Sequence, residues 1–218
     1  MELFVAIILG VLVGLAINWL ADFLLGNSPT RMKIAWRAPV VLILTALAFA
    51  VLWLKFGTST QTLFLALYTA AFMNVLVTDI EDRAIFPIVL VPATLIALAA
   101  SPLLPMGFGR ALLGGIFAFV IVFGIYAFAG LYSRWRKLYI KGGAFGRGDV
   151  YLATFMGLVV GFPAVWLAIL YTIFLAGIFI VIFLVYQYIK TKRLALGAVT
   201  PYGPFFCIAG WTMMTFQA

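Results

Sequence analysis

The sequence predicts an all-α, polytopic membrane protein with about eight transmembrane helices, on three observations. Of its 218 residues 67% are hydrophobic and 9% charged, with a mean hydropathy of +1.23. A soluble domain carries about 25% charged residues, enough to wet the surface around a core. The apolar residues also form unbroken runs rather than the ten-residue alternation of a transmembrane barrel, so the spans are helical. Finally, the basic residues collect between the runs, on alternate connections.

Composition limits the chemistry. At roughly 20 residues per span, eight or so spans consume almost the whole chain and leave no room for a sizeable extramembrane domain. The formal charge of +8 is therefore read as membrane orientation, and no nucleic-acid partner is expected. Cys207 is the single cysteine, so neither an intrachain disulfide nor a Cys-rich zinc site can form. Histidine is absent, which removes Ser-His and Cys-His catalysis and the usual catalytic zinc sites. Acid–base work falls to carboxylates, and no metal or cofactor is expected.

The first span is the run from Leu3 to Leu25, which lacks a basic leading segment and is too long for a signal-peptide core, so it stays uncleaved. Further spans are expected over residues 39–54, 62–80, 86–101, 111–132, 150–163, 164–187 and 197–216. The sixth has only 14 residues, short for a crossing. Charge decides its status. If all eight cross, 12 of the 14 basic residues lie in odd-numbered connections, and only Lys55 and Arg110 lie in even ones. If the sixth does not cross, the split falls to 9 against 5. The positive-inside rule thus favours eight crossings, both termini outside and the odd connections in the cytoplasm. No repeat or linker interrupts the chain, so residues 1–218 are expected to form one domain.

A carboxylate at membrane depth is costly, so each acid near a span is a functional candidate. Glu2 is terminal. Asp22, one turn after Asn18, is expected in an interfacial or interhelical hydrogen bond. Asp79, Glu81 and Asp82 cluster at the cytoplasmic end of the third span, where Glu81 and Asp82 read as an exposed loop end paired with Arg83. Asp79 instead closes an apolar helix. Asp149 follows Gly146-Arg147-Gly148 at the cytoplasmic start of the sixth span, and the flanking glycines permit close approach of another backbone. Asp79 and Asp149 thus lie at one membrane face, 70 residues apart. Two carboxylates in a desolvated site share a proton, and such a pair can activate water against a peptide carbonyl without a metal.

These residues resemble the prepilin peptidase family, membrane aspartyl proteases of the G-x-G-D type. Asp79-Ile-Glu-Asp-Arg83-Ala-Ile85 is similar to the family's first aspartate segment. Gly146-Arg-Gly-Asp149-Val-Tyr-Leu152, with Gly157 and Gly161-Phe-Pro163 after it, resembles the second. Pro201-Tyr-Gly203-Pro204 resembles the Pro-aromatic-Gly-Pro motif of the last span, and Leu9-Gly10 through Asn18 the glycine-rich first span. The resemblance implies Asp79 and Asp149 as the catalytic pair, supported by Gly146, Gly148, Pro201, Gly203 and Pro204. It implies a prepilin or pseudopilin substrate, whose short basic leader is cut at the cytoplasmic face of the cell membrane. The chain departs from bifunctional relatives in lacking the Cys-x-x-Cys domain between the first two spans, so methyl transfer is not expected of it. Tyr151 stands where many relatives have Lys, and Arg147 at a position more often small or apolar. Two other functions compete: a proton-coupled transporter, and a non-catalytic pilus or secretion assembly factor in which Arg147 holds Asp149 ionised.

Overall fold

The computed structural model describes residues 2–26, 28–135, 146–191 and 201–216. Eight helices account for nearly all of them: α1 (Glu2–Leu25), α2 (Arg37–Phe56), α3 (Thr60–Asp82), α4 (Pro87–Ala100), α5 (Gly107–Trp135), α6 (Arg147–Val160), α7 (Ala164–Thr191) and α8 (Gly203–Phe216). No strand occurs among the described residues. The protein is an all-α membrane protein. Five helices, α1, α2, α3, α5 and α7, are long and apolar enough to cross a bilayer, and the segment Pro87–Leu103 is a shorter apolar helix with a 3-10 turn.

Local chemistry sets the boundaries. The Ser59 hydroxyl caps α3 by accepting from the Thr62 N–H at 3.1 Å. At the other end of α3, Arg83 adopts a left-handed conformation (φ 53°) and donates its N–H to the Asp79 carbonyl at 2.9 Å. Pro87 opens α4 at a position that needs no donor. The last helix begins at Gly203 and not near residue 197, a correction to the expected span. Pro201 and Pro204 bracket that start, and proline belongs at a helix entrance rather than its interior. Residues 197–200 of the expected span lie outside the described residues, as do Arg136, Lys137, Lys141, Lys192 and Arg193.

The helices alternate in direction, which follows from what each end touches. At one end Asp79 of α3 meets Gly203 of α8, Ile85 before α4 meets Gly148 of α6, and Arg37 of α2 meets Asp22 of α1. At the other, Lys55 near the end of α2 donates to the Thr215 carbonyl of α8, and the Phe162 N–H after α6 donates to the Arg110 carbonyl of α5 at 2.9 Å. Short as they are, α6 and α8 therefore run from one end of the bundle to the other. Length matters less for α6 because protein surrounds it: Leu152, Ala153, Phe155 and Met156 have no exposed surface.

The α5–α6 contact shows how closely. A Cβ on Gly157 would fall 2.7 Å from the Ala118 Cβ and collide with the Gly114 backbone, so the two helices touch main chain to main chain. Replacing Gly157 with alanine is expected to destabilise the protein by about 1–3 kcal/mol through overpacking. A lower thermal midpoint of the purified protein in detergent checks this, and an unchanged midpoint would count against the packing described.

Candidate active site

Asp79 occupies the last turn of α3 and is buried, at 4% exposure. Its Oδ2 accepts the Gly203 N–H at 3.0 Å, across 124 residues of sequence. Because Gly203 is the first residue of α8, the positive end of that helix dipole points at the carboxylate. The approach requires glycine. A Cβ at position 203 would lie 2.6 Å from Asp79 Oδ2.

Asp149 sits in the first turn of α6 at 7% exposure, and its Oδ2 reaches back to the Gly146 N–H at 2.9 Å. It thus lies at the positive end of its own helix. Gly148 lets α6 press on the α3–α4 connection, since a Cβ there would stand 2.6 Å from the Ile85 Cβ. Pro204 is buried beside Gly203 and Pro201 is half-buried. Asp79 and Asp149 lie within electrostatic reach of each other, and the buried Cys207, one turn into α8, lies within reach of both. Among the described residues neither aspartate's Oδ1 has a hydrogen bond, which leaves one oxygen of each for water or substrate.

The remaining acids are placed differently from expectation. Glu81 is not an exposed partner of Arg83. It is 2% exposed, and its Oε2 accepts from Arg31 Nε at 2.9 Å and Arg37 Nη1 at 3.1 Å. Both guanidiniums also bind Asp22, Arg37 at 2.8 Å, and Arg37 Nε donates to Asn18 Oδ1 at 3.0 Å. Asp82 accepts the Thr30 hydroxyl, and the Met32 N–H donates to the Glu81 carbonyl at 2.8 Å. The α1–α2 connection is folded over the end of α3 and covers Glu81, which is why a residue read as loop is interior. Asp22 does form the interhelical contact expected of it.

Arg147 does not pair with Asp149 either. Its Nε donates to the Tyr126 hydroxyl on α5 at 3.3 Å. The side-chain network around Glu81 and the Tyr126 contact were missed from sequence. Three basic residues in the first connection, Arg31, Lys33 and Arg37, were the signal available for the former.

Replacing Gly203 with alanine is expected to lower any turnover at Asp79 by about 10²-fold, the effect of displacing a reacting group by roughly an ångström. Helix content should be unchanged by circular dichroism. Full turnover in this variant would mean that the Gly203 contact does not set the position of Asp79.

Residues 63–184 match the sequence profile of the type IV leader peptidase family, a stretch that contains both Asp79 and Asp149 and ends before Pro201. No curated protein and no solved structure matches the chain.

Proposed function

The chain belongs to the type IV leader peptidase family, and from that premise we propose that it is an aspartyl endopeptidase embedded in the cell membrane, using Asp79 and Asp149 to remove the leader of a type IV prepilin or pseudopilin. One observation carries the reading. Two buried carboxylates 70 residues apart in sequence lie within electrostatic reach of each other at one end of the bundle, each held by a helix N-terminus through one oxygen, with no hydrogen bond to the other oxygen among the described residues. In the proposed reaction one ionised aspartate takes a proton from water, whose oxygen attacks the scissile carbonyl carbon. The protonated partner donates to the carbonyl oxygen. The pair has then exchanged protonation states, and collapse of the tetrahedral intermediate breaks the C–N bond as the newly protonated aspartate gives its proton to the leaving amine and its partner takes the hydroxyl proton, which returns the pair to its starting state.

The aspartate end is read as cytoplasmic. Among the described residues Arg31, Lys33, Arg37, Arg83, Arg147 and Lys190 lie at that end, against Lys55 and Arg110 at the other. Both termini are then extracytoplasmic. A substrate helix would lie in the bilayer with its leader at the surface beside Asp79. A transporter is less well supported, because Asp22, Asp79, Glu81, Asp82 and Asp149 all gather at one end instead of marking a path across the bundle. The assembly-factor reading loses its physical basis once Arg147 turns to Tyr126. The test is leader loss by gel shift when the purified protein in nanodiscs is mixed with a prepilin. Failure to shorten any prepilin or pseudopilin would refute the reading.

A further inference from the structure

Arg147 opens α6 two residues before Asp149, and its side chain is exposed. Two other guanidiniums at this end have work to do within the fold: Arg31 and Arg37 each bind both Asp22 and Glu81. Arg147 has no carboxylate partner among the described residues. Its Nε is fixed on Tyr126, while Nη1 and Nη2 make no hydrogen bond there. Because the Tyr126 oxygen accepts that bond, its own hydrogen remains available to donate. Guanidinium and hydroxyl therefore present adjacent donors, a planar fork beside an O–H, suited to a carboxylate. Tyr151, one turn further along the same helix face and 46% exposed, lies within electrostatic reach of Arg147.

We propose that Arg147 and Tyr126 form a subsite that binds an acidic side chain of the substrate near the scissile bond. The proposal rests on the peptidase reading above and adds a requirement to it. An extended chain advances about 3.3 Å per residue, so a side chain over Arg147 belongs to a residue only a few positions from the bond held at Asp149. A lipid phosphate is the competing anion. The substrate is favoured because Arg147 is held in place by Tyr126 and shares its helix turn with Asp149, where a headgroup contact would need neither.

The experiment is a charge exchange in nanodiscs. Prepilin fragments carry a single glutamate placed in turn at each residue flanking the cut, with matched glutamine and lysine versions. They are assayed with wild type, Arg147→Lys, Arg147→Glu and Tyr126→Phe. Wild type should prefer glutamate at one position by about tenfold or more in kcat/KM. Arg147→Glu should lose that preference and favour lysine at the same position, Arg147→Lys should retain part of it, and Tyr126→Phe should weaken it. Equal cleavage of all fragments by wild type, or equal loss on all of them in Arg147→Glu, would overturn the proposal. So would a loss that tracks the anionic lipid content of the nanodisc, which would assign Arg147 to the membrane. Wild type that cuts no fragment would refute the peptidase reading itself and not this subsite alone.

Discussion

Replacing either Asp79 or Asp149 with asparagine is expected to lower leader cleavage by about 10³-fold or more while leaving the protein folded and inserted. Positioned acid–base groups contribute roughly 10²–10⁴-fold each, and in a pair that passes one proton back and forth neither member works alone. Asparagine keeps the shape of the side chain and an oxygen that can still accept from Gly203 or Gly146, so the backbone contacts that close α8 and α6 onto the site survive. The effect should therefore appear in kcat, with the thermal midpoint close to that of wild type. The double variant should be scarcely worse than either single one, since residues that act as a unit are not additive. Ten per cent of wild-type turnover in either single variant would remove that residue from the chemistry.

The second large effect is on stability. Glu81→Ala should destabilise the protein by about 3 kcal/mol, near the lower end of the roughly 3–5 kcal/mol seen when one partner of a buried ion pair is removed. The change takes the buried partner from two guanidiniums whose side chains are only 10% and 13% exposed. The lower end applies because both keep Asp22 as a partner. Asp22→Ala should cost less than about 1 kcal/mol, since its side chain is 54% exposed and already shares water. Thermal unfolding of the two variants in the same detergent gives the comparison. A Glu81→Ala midpoint equal to that of Asp22→Ala would mean that the clamp over α3 contributes no more than a surface pair.

Much of the fold was legible because the bilayer imposes two simple rules, apolar length and charge at the ends. Those rules were enough to expect eight helices and to treat the short sixth segment as running through the bundle, which the contacts at its two ends, Gly148 with Ile85 and Phe162 with Arg110, accord with. The aspartates stood out for the same reason, as charges a membrane helix does not carry without cause. Glu81 was misread because sequence reports distance along the chain, whereas burial at that position comes from a connection some 50 residues earlier. The competing reading in which Arg147 holds Asp149 ionised rested on adjacency: two residues from Asp149 in sequence, the Arg147 side chain finds Tyr126 on another helix. The motif glycines were recognisable as permitting close approach, but which neighbours approach, the Asp79 carboxylate and the Ile85 side chain, depended on packing between helices.

The most direct test of the account is the N-terminal sequence of a prepilin co-expressed with the wild-type chain, with Asp79→Asn and with Asp149→Asn. The account predicts a single new N-terminus at the leader junction with wild type and only the uncut precursor with either variant. Mature product in the presence of either asparagine variant, in a host with no other such peptidase, would contradict it.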